Sequence, residues 1–114
     1  MTYKQIAEMV AEIGVPYAYY QFTKDTAVAP PFVCFFYPND SDLYADDENY
    51  QKITHLTIEV YTDAKDFALE KTVEDVLRSH GFTWTRSESR LGSERMFEVI
   101  YETDVVITEE TNNG

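Results

Sequence analysis

The chain has little of what builds catalytic or metal-binding sites. Among its 114 residues are one cysteine, two histidines and four glycines. A single cysteine excludes an internal disulfide, and isolated glycines exclude a glycine-rich phosphate-binding loop. The histidines, His55 and His80, have no cysteine at zinc-ligand spacing, and no serine lies in a nucleophile elbow. We therefore expect a protein without enzyme activity, cofactor or metal ion.

Positive charge is also scarce, since 9 Lys and Arg residues stand against 21 Asp and Glu residues, for a formal net charge of −12. Binding to a nucleic-acid backbone or to an anionic membrane needs clustered cations. No apolar run approaches the roughly 18 residues that span a bilayer, and the N-terminal segment has no apolar signal core. These absences predict a protein made in the cytosol, with neither a membrane nor a specific nucleic acid as its partner.

What the chain does have is a large share of apolar and aromatic residues. Hydrophobic residues make up 44% of it and aromatic residues 15%, enough for one core and for some rings outside it. Length and composition predict a single α+β domain over residues 1–107, followed by a disordered acidic tail over residues 108–114. Cys34 lies in an apolar run, which favours a buried thiol over a reactive one.

Local signals divide the domain into two helices and five strands. Thr2 with Gln5 three residues later is the pattern of a capping box, and Gly14 ends the first helix. Asp66 is expected to cap the second helix, which Gly81 ends. The other segments predict strands at Tyr17–Phe22, Phe32–Tyr37, Gln51–Thr62, Phe82–Arg86 and Arg95–Thr103. The predicted order is therefore α-β-β-β-α-β-β.

The third predicted strand has two chemically different faces. The face that we expect in the core carries Thr54, Leu56, Ile58 and Val60. An α+β fold is predicted, with a mainly antiparallel sheet and both helices packed on one of its faces. The other face then lacks a covering element, which usually marks an interaction site. The residues expected there are Ile53, Tyr61, Met96 and Ile100.

An acidic loop from Asp40 to Asn49 precedes that strand. Its spacing imitates the start of an EF-hand, but Ala45 stands where glycine is required and Gln51 where the closing glutamate is required. A solvated loop that is mobile in the free subunit and ordered on assembly is expected instead. Tyrosine is enriched at interfaces because it gives amphipathic contact area. The candidate protein-interface residues are Asp42, Tyr44, Asp46, Asp47, Tyr50, Tyr61 and Met96, with the alternative that Tyr44 and Tyr50 fold back onto their own sheet.

Several segments, in colinear order over nearly the whole chain, carry a family resemblance. They are Ile13-Gly-Val-Pro-Tyr-Ala-Tyr, Pro30-Pro-Phe-Val, Tyr44-Ala-Asp-Asp-Glu-Asn-Tyr-Gln-Lys-Ile53, Ile58-Glu-Val-Tyr-Thr-Asp-Ala-Lys-Asp66, His80-Gly-Phe and Ser93-Glu-Arg-Met-Phe-Glu-Val-Ile-Tyr-Glu102. With these segments the chain resembles the tail-completion and head–tail connector proteins, similar to tail terminators, of long-tailed phages and prophages of Gram-positive bacteria.

The resemblance implies a non-enzymatic structural role in a virion. Proteins of this sort have α+β domains that form a ring, often a hexamer, at the head-proximal end of the tail. The resemblance therefore implies self-association and contact with other head–tail connector or tail proteins. It further implies assembly in the host bacterial cytoplasm and a final location in the neck or tail of the virion.

The acidic charge permits a second function, that of a phage-encoded inhibitor. A small acidic protein can imitate DNA and occupy the nucleic-acid groove of a host enzyme. Such a mimic needs carboxylates along one extended face, whereas many acids of this chain lie in one loop and in the tail. An activity assay against host nucleases, or electron microscopy of virions labelled at this subunit, would separate the two functions.

Overall fold

The computed structural model describes residues 1–38, 40–43, 51–92 and 96–108. Within these ranges the chain forms an α+β fold with two helices and one mixed sheet. The elements, in chain order, are α1 (Tyr3–Ala11), β1 (Tyr17–Tyr19), β2 (Phe32–Phe36), β3 (Asp40–Leu43), β4 (Gln51–Thr62), α2 (Phe67–Ser79), β5 (Thr85–Leu91) and β6 (Met96–Ile107).

Both helices begin and end at residues whose chemistry the sequence indicates. The Thr2 hydroxyl accepts the backbone N–H of Gln5, and the Gln5 side chain accepts that of Thr2, which confirms the capping box. Asp66 caps α2 by accepting the backbone N–H of Leu69 at 2.9 Å. Gly81 follows α2 with a φ of 84°, a left-handed conformation that glycine adopts without steric cost. Each end therefore satisfies backbone groups that a helix leaves unpaired.

The sheet is built around β4, in the order β1-β2-β4-β6-β5, with β3 also paired to β4. β4 and β6 are antiparallel from Lys52, opposite Ile107, to Thr62, opposite Phe97. β2 pairs with the second half of β4 and β3 with the first half, so both strands occupy the same edge of β4. β1 pairs with β2 in parallel, and every other pairing is antiparallel among the described residues.

Alternate strand residues on one face of the sheet, here called the core face, form the hydrophobic core. The predicted core positions of β4, Thr54, Leu56, Ile58 and Val60, are all at most 1% exposed. Val99 and Tyr101 of β6 lie opposite two of them and are also buried. Both helices contribute to the same cluster, with Ile6, Met9, Val10, Val73 and Leu77. Burial of each large aliphatic side chain contributes roughly 1.5–3 kcal/mol, so this cluster is the main stabilising feature of the domain.

An ion cluster joins α2 to the edge strand β5 on the core-face side. Glu70, which is 7% exposed, accepts a hydrogen bond from Arg86 and lies 2.7 Å from the Lys65 ammonium. Glu88 lies beside the same two cations. Tyr101 extends the cluster by donating its hydroxyl to Glu74 at 2.9 Å. Alternation along β5 places Arg86 and Glu88 on the core face, so this exposed strand is held to the helix by charge rather than by apolar packing.

β3 and β5 differ most from the sequence prediction, and β1 ends at Tyr19 rather than at the predicted Phe22. Residues 40–43, predicted as the start of a mobile loop, form β3 and pair with β4, so that part of the loop prediction is wrong. The physical reason is that β2 ends at Phe36, which leaves the first half of β4 with an unpaired edge that an extended segment can satisfy. The rest of the predicted loop, residues 44–49, lies outside the described residues.

The other difference is β5, which was predicted over Phe82–Arg86 and is observed over Thr85–Leu91. Phe82 donates its backbone N–H to Leu77 at the end of α2, so it still belongs to the helix terminus. Phe82 and Trp84 are half-buried against the core cluster. Tertiary packing therefore takes these apolar residues away from the strand and leaves β5 polar.

The C-terminal strand is also longer than predicted and ends at Ile107. Beyond it, the Thr108 amide donates to the Met1 carbonyl at 3.0 Å, and the Met1 ammonium donates to the Val106 carbonyl. These contacts join the N-terminal residues to the last strand. The predicted disordered tail otherwise falls on residues 109–114, which lie outside the described residues.

Candidate interaction surface on the groove face of the sheet

The second face of the sheet, here called the groove face, mixes aromatic, aliphatic and acidic side chains. The strand register places on it Phe32, Cys34, Phe36, Glu59, Tyr61, Met96, Glu98 and Ile100. Cys34 is buried, and the others are half-buried. Ile53, expected on the same face, lies further along β4 opposite Val106, which is 42% exposed. The face predicted for Ile53, Tyr61, Met96 and Ile100 is therefore the face on which the register puts them.

A groove of about 660 Å³ crosses this face. One wall comes from the segment after β1, whose Tyr20 and Phe22 rings lie 5.5 Å from Phe36 and 5.4 Å from Phe32. The Phe32 ring also stacks on Tyr61 at 4.9 Å. The described lining residues are Tyr20, Gln21, Phe22, Ala27, Val28, Phe32, Cys34, Phe36, Glu59, Tyr61, Leu91 and Met96. The groove is therefore mainly apolar and aromatic, with one carboxyl group among its lining residues.

Two of the seven candidate interface residues meet in this groove. Tyr61 and Met96 both line it, although they lie on different strands. Asp42 lies in β3 opposite Lys52, where the structure describes the backbone pairing. The other four, Tyr44, Asp46, Asp47 and Tyr50, lie outside the described residues. The role of all seven in an interface stays a prediction.

A cluster of two carboxyl groups around one phenol lies beside the groove. The Tyr61 hydroxyl is 3.0 Å from a carboxyl oxygen of Glu59 and 3.0 Å from one of Glu98. Tyr61 lies opposite Glu98 across β4 and β6, and Glu59 precedes Tyr61 by two residues on the same face. Since one hydroxyl has one proton, it cannot fully satisfy both carboxylates when both are charged.

The environment of this cluster changes the pKa of its members. Burial raises the pKa of Glu59 to about 7, and the Glu98 carboxyl contributes to the rise, while the hydrogen bond from Tyr61 opposes it. Burial and the negative charge of Glu59 raise the pKa of Tyr61, which therefore keeps its proton. Burial, with Glu59 and Glu98, likewise raises the pKa of Cys34 to about 11. Cys34 is 4% exposed and stays a thiol at neutral pH, so it is a poor nucleophile.

A second exposed feature is a group of tyrosines at the β1 edge of the sheet. Tyr17, Tyr19 and Tyr20 are 42%, 55% and 61% exposed. The Tyr19 ring lies 5.7 Å from Tyr37, and Tyr3 lies 5.1 Å from the same ring. Exposed aromatic groups of this kind are typical of protein–protein contact surfaces.

Each histidine contacts a carboxylate of another element. His55 contacts Asp104 across β4 and β6, and His80 lies 2.9 Å from a Glu12 carboxyl oxygen at the end of α2. In the described ranges, groups of three or more His, Cys, Asp or Glu side chains that could hold a metal ion are not found. The helices among those same residues also include none that is long and apolar enough to cross a membrane.

Sequence reasoning missed the carboxyl cluster and most of the groove. Alternation along β4 places Glu59 on the same face as Tyr61, and that signal was available. Nothing in the local sequence indicates that Glu98 lies opposite Tyr61, because cross-strand register depends on residues far apart in the chain. The wall formed by Tyr20 and Phe22 was also not foreseen, since both residues were assigned to the first strand.

Comparison with solved structures shows that this fold occurs in known proteins. The chain matches no protein-family model and no curated protein. It is similar to a chain in a solved structure described as "Virion of native gene transfer agent (GTA) particle", with a TM-score of 0.63 and 17% sequence identity. The match covers 92% of this chain and 90% of that chain. The two chains therefore share a fold over nearly their whole lengths.

Proposed function

We propose that this protein is a non-enzymatic structural subunit of a phage virion that acts in tail completion or as a head–tail connector. The observation that carries the proposal is the fold shared with a component of a gene transfer agent virion over 92% of this chain. The likeness was found independently of the sequence segments that resemble phage head–tail proteins, and it supports the same class of role. The family resemblance further implies a ring, often of six copies.

The two edges of the sheet support head-to-tail association. β1 forms one end of the strand order and presents exposed tyrosines, whereas β5 forms the other end and presents polar residues from Thr85 to Arg90. Because the two edges differ chemically, they can serve as the two unlike patches of a head-to-tail contact. A contact between unlike patches repeats around an axis and, when the rotation closes, forms a ring.

The remaining surfaces fit the other partners that a connector needs. The groove face offers an apolar surface for a second head–tail connector or tail protein, and the acidic residues keep the lumen of a ring repulsive to passing DNA. Assembly takes place in the host bacterial cytoplasm, and the protein ends in the neck or tail of the virion. No step of this role requires catalysis or a cofactor.

The mass of the assembled protein tests the proposal. Native mass spectrometry and negative-stain electron microscopy of the purified chain, at low and at high salt, are expected to show a closed ring. Salt is expected to strengthen the ring because it screens repulsion between subunits with a formal net charge of −12. Ring formation is contradicted if the chain stays monomeric at high concentration and high salt, both alone and when mixed with its neighbouring connector proteins.

A matched pair of variants tests the tyrosine edge. Tyr19→Ser removes an exposed ring of the β1 edge, whereas Phe67→Ser removes a 72% exposed ring at the start of α2. Tyr19→Ser is expected to weaken self-association about tenfold or more, since aromatic anchors carry much of the binding energy at interfaces. Phe67→Ser is expected to leave it unchanged. Equal behaviour of the two variants would contradict the assignment of this edge.

A further inference from the structure

The groove combines apolar residues with a carboxyl group. Aromatic and aliphatic residues line most of it, among them Tyr20, Phe22, Phe36 and Met96. The lining also includes Glu59, whose carboxyl is linked through the Tyr61 hydroxyl to Glu98. A ligand that fits both parts needs an apolar body and a tip that satisfies carboxylates.

The carboxyl cluster has no counter-charge in the described part of the chain. No Lys or Arg side chain of these residues forms an ion pair with Glu59 or Glu98. By contrast, the buried carboxylate of Glu70 has two cations, Lys65 and Arg86. Two neighbouring carboxylates without a cation repel each other, and a cation placed between them removes that repulsion.

The shape of the groove favours a side-chain cation over a metal ion. Calcium takes six to eight oxygen ligands, whereas the described groove residues supply one carboxyl group and two phenols, with the Glu98 carboxyl beside the groove. Lysine and arginine have an apolar stem that packs along apolar surface while the charged end reaches a polar partner. Aromatic faces add a favourable interaction with the cation itself.

We propose that the groove binds a lysine or arginine side chain that another protein presents between apolar residues, with Glu59 and Glu98 as its counter-charges. This inference rests on the proposed function, which identifies the partner as a head–tail connector or tail protein. A different protein is favoured over a second copy of this chain, because copies with a formal net charge of −12 repel one another whereas a basic partner is attracted.

Binding in the groove is coupled to proton release. Glu59 has a pKa of about 7 in the isolated chain, so a fraction of it is protonated at neutral pH. A cation favours the charged carboxylate and expels that proton. The other titratable groups that face Glu59 are Cys34 of β2, Tyr61 of β4 and Glu98 of β6, and both Cys34 and Tyr61 keep their protons at neutral pH. Binding is therefore expected to strengthen as the pH rises through about 7.

The test uses the purified chain and two capped tripeptides, phenylalanine–lysine–phenylalanine and phenylalanine–norleucine–phenylalanine, followed by isothermal titration calorimetry. The two probes differ only in the ammonium group. Well above pH 7 the lysine peptide is expected to bind about tenfold more tightly, because a charge-assisted hydrogen bond to the carboxylates is stronger than a neutral contact. Near neutral pH, the heat measured in buffers of different ionisation enthalpy is expected to reveal a released proton. Well below pH 7 the preference for lysine is expected to shrink.

Two variants assign the preference to the proposed residues. The double variant Glu59→Gln with Glu98→Gln is expected to bind both peptides equally. Glu102→Gln removes an exposed carboxylate of β6 on the same face and is expected to keep the tenfold preference. A pH dependence that persists in the double variant belongs to another group and overturns the assignment. The unmodified chain tests the proposal even where the double variant fails to fold.

Three results would overturn the proposal: no binding of either peptide, equal binding of the two peptides by the unmodified chain, or displacement of the lysine peptide by calcium at low concentration. These outcomes concern the groove alone and leave ring formation untouched. Conversely, if the chain prefers the lysine peptide but forms no ring, the groove is a cation-binding site and the proposed function is wrong.

Discussion

Acidic groups on the two faces of the sheet differ in whether a cation of the chain neutralises them. On the core-face side, Glu70 is nearly buried and is neutralised by Lys65 and Arg86. On the groove face, Glu59 and Glu98 share one phenol and lack a cation among the described residues. The first arrangement is complete within the chain and holds α2 to β5. The second has no such partner among the described residues, which fits the binding surface proposed for this face.

The largest expected difference between the faces is in packing. Ile58→Ala on the core face removes a side chain that is 1% exposed and is expected to lower the free energy of unfolding by roughly 2–5 kcal/mol. Ile100→Ala changes a half-buried isoleucine on the groove face and is expected to cost about 1 kcal/mol. Urea denaturation followed by circular dichroism measures both. Equal losses would show that the groove face is packed as part of the core.

The next difference concerns the two kinds of carboxyl group. Glu70→Gln leaves Lys65 and Arg86 without their buried partner and is expected to lower the free energy of unfolding by roughly 1–3 kcal/mol. Glu59→Gln is expected not to lower it well above pH 7, because it removes one of two repelling carboxylates. The same denaturation measurement compares the two variants. A larger loss for Glu59→Gln would mean that the cluster on the groove face stabilises the fold.

The pH dependence of stability sharpens the contrast further. The folded chain holds the Glu59 proton up to about pH 7, whereas a glutamate with the ordinary pKa of 4.5 has lost it. The folded state therefore binds more protons between these values, and the contribution of Glu59 to stability falls as the pH rises from about 4.5 to about 7. After a discount for its partial exposure, a fall of roughly 1–2 kcal/mol is expected. Unfolding experiments on the wild-type chain and on Glu59→Gln, across this interval, should show the fall only in the wild type.

The smallest expected effect is that of the phenol. Tyr61→Phe removes the hydroxyl that donates to the cluster, so the pKa of Glu59 is expected to rise further. The cost in stability is expected to be roughly 0.5–1 kcal/mol, as for one hydrogen bond. Carboxyl carbon shifts in an NMR titration report the pKa directly. Tyr17→Phe, at an exposed tyrosine of β1, serves as the control and should leave the Glu59 titration in place.

Local sequence signals predicted the elements whose capping hydrogen bonds and apolar pattern lie within one segment. The bounds of β4 are those predicted, because a long alternation of apolar and polar residues suits one half-buried strand. The caps at Thr2 and Asp66 follow from side chains that bond a backbone three residues away. β3 and the start of β5 were not predictable in this way. β3 exists because β4 offers it an unpaired edge, and β5 starts late because Phe82 and Trp84 pack on the core.

The sequence by itself determined the acidic charge, the α+β class, the core positions of β4 and the mixed character of its second face. These properties depend on composition and on spacing within one segment. Only the tertiary structure decided that Glu98 meets Tyr61 and Glu59, that Tyr20 and Phe22 form a wall of the groove, and that β1 runs parallel to β2. Each of these depends on the register between segments that are distant in the chain, and register is set by the packing of the whole sheet.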